Sequence, residues 1–193
     1  MEKDTIFRIY SMTKPITSIA LMMLYEQGKF QLFDPVSKFI PEFGKTKVLN
    51  RMGYLGEELV EQDPPMTIQH LLTNTAGLSY GFFYDSPIEE SYRNSKFRDP
   101  NTTPDEKIKD IARIPLRFQP GTRWHYSVAT DVCGYLVQVI SGMPFATFLQ
   151  EKIFNPLGMV DTHFHVPAEK VDRFAALYRH DISDGSMHEW KGA

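Results

Sequence analysis

Strand-like alternation occurs only near the two ends of this 193-residue chain; the long middle reads as helices and loops. "TIFRIY", residues 5 to 10, alternates β-branched and aromatic residues and predicts a short strand. "DTHFHV", residues 161 to 166, alternates in the same way. The tail from about Phe174 predicts strand-like segments around a "DG" turn at Asp184 and Gly185. The expected class is therefore α+β, rich in helix.

The helices carry start and stop signals. "SMTKPITSIALMMLYEQG" has Ser11 near its start, Pro15 in its first turn and Gly28 as its end, with Ile16, Ile19, Ala20 and Met23 as the buried stripe. "TIQHLLTNTAG" predicts a short helix capped by Thr67. "DSPIEESYRNSKF" and "TTPDEKIKDIARI" read as helices, the second with Thr103 and Glu106 in capping-box spacing and Pro104 at the first helical position. "VATDVCGYLVQVISG" predicts a helix ending at Gly142, and "PFATFLQEKIF" one that starts at Pro144. "FDPVSKFIPEF" predicts a turn with a short helical piece, and residues 44 to 65 a surface loop.

Composition narrows the function. Hydrophobic residues make up 42% and charged residues 23%, the balance of a globular domain. A net charge of −3 with dispersed basic residues gives no reason to expect nucleic acid or an anionic membrane as partner. The apolar run at 19 to 24 is too short to span a bilayer. "MEKDTIFRIY" places charges where a signal peptide has its apolar core, which favours a cytoplasmic location. The lone Cys133 excludes an internal disulfide and reads as a buried small hydrophobe. His163 and His165 would share a strand face, but no third ligand has suitable spacing, so no metal and no cofactor are expected.

Two stretches compete for the nucleophile. "GLSYG", Gly77 to Gly81, fits G-x-S-x-G, with Ser79 as the attacking residue. That elbow needs a strand before the serine and a helix directly after it. Here a helical pattern precedes it and "FFYDSP" follows, so Ser79 reads as a loop residue. "SMTK", Ser11 to Lys14, is S-x-x-K: three residues apart on a helix, the amine reaches the hydroxyl. A serine needs a neighbouring base, and a lysine with a reference pKa of roughly 10.4 serves only if its site depresses that value.

"FRIYSMTKPITSIALMMLYEQGKFQLFDPVSKFIPEF", "MTIQHLLTNTAGL" and "FQPGTRWHYSVATDVCGYLVQVISGMPFATFLQEKIFNPLGMVDTHFHV" resemble, in order, segments of the serine β-lactamase and penicillin-binding-protein superfamily, in its class C-like branch. Within it the chain looks most similar to the family VIII carboxylesterases. The resemblance implies a β-lactamase/transpeptidase-like fold and hydrolysis of a small-molecule ester through an acyl-enzyme. It implies Ser11 as nucleophile and donor of an oxyanion N–H, Lys14 as general base and Tyr126 as proton shuttle, with Trp124, Ser127 and Val128 as substrate-binding neighbours. Asn74 stands where the branch usually has histidine. Val128 stands where β-lactamases have an asparagine that pairs with the lactam amide; this favours esters over a β-lactamase or D-alanyl-D-alanine peptidase reading.

The superfamily's third motif, K-[ST]-G or a variant, is not found: "KTK" at 45 to 47 lacks the glycine and "WKGA" at 190 to 193 lacks the hydroxyl. The resemblance thus implies that residues 1 to 193 form one partial domain, a helix-rich portion without most of the central antiparallel sheet. Its exposed sheet-facing surface would then favour self-association. A non-catalytic fragment or penicillin-recognising binding module is the reading from a different class.

Overall fold

The computed structural model describes residues 1–53, 56–83 and 86–190. Its centre is α5 (Ala129–Ser141), an apolar helix ending at Gly142, on which α1 (Thr13–Glu26), α2 (Ile68–Leu72), α4 (Pro104–Ile111) and α6 (Phe145–Leu149) all pack. Val132, Cys133, Leu136 and Val137 of α5 are fully buried and meet Ala20, Leu21 and Leu24 of α1 in one core cluster. The burial of the valines and leucines among them, each contributing about 1.5–3 kcal/mol, fixes where the ends of α1 and α5 stand.

The capping signals hold. Thr67 accepts from His70 N, and Thr103 with Glu106 forms a reciprocal capping box at the start of α4. The stretch after "GFF" forms α3 (Pro87–Asn94); Tyr84 and Asp85 lie outside the described residues, as do Lys191 to Ala193 of "WKGA". Past α6 the chain continues through a π-helical turn, Gln150–Phe154.

Four expectations are corrected. Ile19 is 56% exposed, because about 100° per residue sets it nearly opposite Leu21. The buried face is Thr17, Ala20, Leu21 and Leu24 instead, with Ile16 and Met23 at its margin. Residues 44 to 65 are not only loop: β1 (Val48–Gly53) and β2 (Gly56–Val60) pair as an antiparallel hairpin with a register irregularity between Leu49 and Arg51. "TIFRIY" forms no strand; Ile6 makes a single parallel bridge to Phe174. "DTHFHV" runs through turns, without a strand partner among the described residues. The tail does form a hairpin, β3 (Tyr178–His180) with β4 (Met187–Glu189), around Asp184 and Gly185. Among the described residues the sheets are these two hairpins, and no single helix is long and apolar enough to cross a membrane.

Candidate active site

The chain enters α1 through a single 3-10 turn, Tyr10–Met12, continuous with the helix. Tyr10 has φ 43°, a left-handed value unusual outside glycine, and such outliers gather at functional sites. The turn leaves Ser11 exposed at the start of the helical run, where backbone N–H groups have no carbonyl one turn earlier to meet. Lys14 follows on the same face.

Opposite them stands Tyr126, in the segment leading into α5. The Ser11 and Tyr126 hydroxyls are 2.6 Å apart, and either oxygen is able to donate. Lys14 Nζ lies 5.1 Å from the Tyr126 ring centre, 5.4 Å from that of Tyr80 and 4.0 Å from Asp131 Oδ2. Tyr80 lies nearly parallel to Tyr126, ring centres 5.7 Å apart at 8°, and Phe82 stacks on the far side of Tyr80 at 4.4 Å. These groups line a cleft of about 740 Å³ that continues past Phe97, Ile108, Gly134 and Phe145. Its surface is mostly apolar, lined by aromatic rings and Ile108, with Thr102, Lys107 and Gln138 adding polar groups beyond Ser11, Lys14 and Asp131.

Tyr80 and Asp131 are site residues that the sequence reading missed. Asp131 sits in the first turn of α5, where the helix dipole favours a carboxylate. Burial at the base of the cleft nevertheless pushes its pKa up, and the charge of Lys14 only partly offsets this. Its side chain keeps 38% of its surface accessible, but that surface faces the cleft, so the carboxyl is walled in while still touched by solvent.

Burial also pushes the Tyr80 phenol up from 10.0 to about 12, with the Asp131 charge adding to it. It raises the Cys133 thiol from 9.0 to about 12 and the Tyr135 phenol to about 12, and it raises fully buried Tyr92 as well. The unfolded chain releases these protons from about pH 9 to 10, whereas the folded chain holds them toward pH 12. In that window the folded state binds more protons, so stability falls as pH rises. Urea midpoints are expected to stay level up to about pH 9 and to drop steadily above it. A midpoint unchanged at pH 11 would contradict this.

"GLSYG" is a buried joint. Ser79 is 0% exposed and donates to Glu89 Oε1, itself on a side chain that is 0% exposed. Ser79 Oγ also lies 3.0 Å from His125 Nε2. A nucleophile's acid partner holds the far ring nitrogen of the histidine. Here the carboxylate binds the serine itself and approaches the near nitrogen, 3.9 Å from Nε2. Two glycines bracket the joint. Gly77 has φ 82°, and an added Cβ would stand 2.5 Å from Phe118 O; Gly81 has φ 86°, and an added Cβ would stand 3.1 Å from Arg93 N.

The neighbours expected to bind substrate are placed elsewhere. Val128 is 0% exposed and packs in the core at the cap of α5. Ser127 is buried, and its hydroxyl accepts from Ala129 N at 3.2 Å. Trp124 is 67% exposed and does not line the cleft. Their positions follow from the turn into α5: it directs Tyr126 into the cleft and the next two side chains inward. His163 and His165 are exposed and share no strand, and His163 Nε2 lies 3.1 Å from Lys170 Nζ, a cation that opposes a metal there. Asp181, Asp184 and His188 converge on the exposed tail hairpin, where each aspartate accepts from a turn serine. Cys133 is buried, as expected.

The frame that carries this cleft is a known one, the β-lactamase/transpeptidase-like fold. The chain belongs to the Beta-lactamase family, whose model it matches over residues 1–189. It is similar to esterase EstB of Burkholderia gladioli, with 39% identity over 188 residues that cover 94% of this chain and 43% of that protein. Among solved structures it resembles simvastatin synthase LovD from Aspergillus terreus at a TM-score of 0.83 and 28% identity, covering 99% of this chain and 47% of that one. It also resembles EstCE1, described as a hydrolase with promiscuous acyltransferase activity, at a TM-score of 0.80 and 30% identity, again over 99% and 47%. The chain spans about half the length of the relatives it matches.

Proposed function

We propose that this chain carries the nucleophile half of a serine hydrolase of the carboxylesterase kind. The 2.6 Å contact between the Ser11 and Tyr126 hydroxyls carries the reading. Ser11 Oγ attacks the ester carbonyl; its proton passes to the Tyr126 oxygen as the phenol gives its own proton to the uncharged Lys14 amine. The Lys14 amine completes the relay from its place over the Tyr126 ring. The backbone N–H of Ser11 donates to the oxyanion of the tetrahedral intermediate. That intermediate expels the alcohol, with the proton returned from Tyr126, and leaves an acyl group on Ser11. Water repeats the sequence to release the acid. The aromatic cleft suits an ester with an apolar acyl or alcohol part, and Asp131, 4.0 Å from Lys14 Nζ, balances charge as the relay works. That EstB is an esterase supports esters as the substrate class.

A fluorophosphonate probe is expected to label Ser11, identified by mass mapping; label on Ser79 would overturn the assignment. Ester turnover by these 193 residues alone is expected to be slow: the resemblance places a second oxyanion donor on the strand of the third motif, which is not found in them, and losing one donor costs about 100- to 1000-fold. Hydrolysis of p-nitrophenyl butyrate at the rate of a good esterase would contradict that expectation, and nitrocefin cleavage faster than ester cleavage would favour a β-lactamase. Exposed apolar side chains such as Met12 and Ile19 on α1 and its entry turn support self-association, which light scattering measures against concentration.

A further inference from the structure

Four side chains outside the reacting set form a polar knot: Ser79 and Glu89, fully buried, with Arg117 and His125, partly buried. Glu89 on α3 accepts from the Ser79 hydroxyl, from Arg117 at 2.7 Å and from Phe83 N at 3.1 Å. Ser79 gives its single proton to Glu89, so its contact with His125 requires His125 Nε2 to carry a hydrogen and donate to Ser79 Oγ. Nε2 of His125 is thereby fixed as a donor. Backbone bonds stitch the same two segments together: Val128 N to Ser79 O at 3.1 Å and His125 N to Asn74 O at 2.8 Å.

Consecutive residues of an extended segment face opposite sides. Ser79 and His125 face inward and are bonded to each other. The residues that follow each of them, Tyr80 and Tyr126, face the cleft and lie parallel at 5.7 Å. The inner pair and the outer pair are two sides of one junction, so a shift of the first carries the second with it. We infer that Glu89 and Ser79 are positioning residues that set the Tyr126 hydroxyl against Ser11 by fixing His125 from behind. This rests on the esterase reading for its consequence in rate, though not for the geometry itself. A misplacement of about 1 Å costs up to about 100-fold in a reaction that depends on alignment, which is why a joint without contact to substrate matters to the chemistry.

The test pairs two readouts on the full chain. One is the rate at which a fluorophosphonate labels Ser11. The other is the 19F resonance of Tyr126 in protein made with 3-fluorotyrosine, assigned through Tyr126→Phe. Glu89→Gln is expected to slow labelling at least about tenfold and to move the Tyr126 resonance. Ser79→Ala is expected to do both to a lesser degree. Phe43→Leu, a buried change at a residue that does not line the cleft, controls for general loss of stability and is expected to move neither. Folded Glu89→Gln and Ser79→Ala proteins with unchanged labelling and an unmoved resonance would overturn the inference. Should Glu89→Gln fail to fold, Ser79→Ala decides alone. Should the unmodified chain not label at Ser11, the esterase reading fails while the resonance still decides: movement in the variants supports the positioning role, and none overturns it.

Discussion

Under the proposed relay, Tyr126→Phe is expected to lower the rate of fluorophosphonate labelling at Ser11 by about 100- to 10,000-fold, the range set by losing a positioned general acid–base. The change removes one oxygen and keeps the ring. Stacking on Tyr80 and the approach of Lys14 to the ring face both survive, so the fold and the cleft wall are spared. What goes is the partner 2.6 Å from Ser11 Oγ. Lys14→Met is expected to produce a loss of similar size by a different route, since it keeps the hydroxyl pair and removes the amine. Near-normal labelling in Tyr126→Phe together with a dead Lys14→Met would make the lysine the direct base, as the S-x-x-K spacing alone suggests. Thermal unfolding of both variants should stay close to that of the unmodified chain.

Glu89→Ala destabilises the protein by about 3–5 kcal/mol in urea unfolding, as expected when one partner of a buried charge pair is removed. The carboxylate has no exposed surface, and it takes hydrogen bonds from the Ser79 hydroxyl, Phe83 N and Arg117 at once. Deleting it deprives the Ser79 hydroxyl and Phe83 N–H of their acceptor and removes the carboxylate that Arg117 meets at 2.7 Å. Adding Arg117→Met to a Glu89→Leu chain should recover part of the loss, because both charges then leave together. Asp105 with Lys109 is also an ion pair, at 2.8 Å, but both side chains are about half exposed, and Asp105→Asn should hardly move the midpoint. Equal losses at the two sites would refute the role given to burial.

Local chemistry decided which elements were legible in the sequence. Thr67, Thr103 with Glu106, and Pro104 announce their helices because caps act over three or four residues. The β1–β2 hairpin escaped notice because the irregularity at Asn50 breaks the two-residue period, and Asn50, Glu57 and Glu58 interrupt its apolar residues. "TIFRIY" and "DTHFHV" alternate like strands, but among the described residues the first makes a single bridge, Ile6 to Phe174, and the second has no strand partner; pairing is a tertiary fact. In the site, the spacing of Ser11 and Lys14 only allowed a contact; their roles, like that of Tyr126, were read from resemblance, and the structure brings the three side chains together. Tyr80 and Asp131 carry no motif of their own. Glu89 did leave a trace: it shares the buried face of α3 with Ile88 and Tyr92, and a carboxylate among such neighbours needs a partner.

Gly77 and Gly81 give the "GLSYG" string a different meaning. Both adopt backbone angles that side chains resist, and both lie against another segment's main chain. Between two such glycines, a serine is a natural choice to tie a tight crossing to a buried acid. The letters G-x-S-x-G therefore have two independent origins, one in the strained turn of a nucleophile and one in the mechanics of a knot. A classifier that reads text alone merges them. Asking whether the serine's hydroxyl is open to solvent, and which atom of the histidine its acid touches, tells them apart.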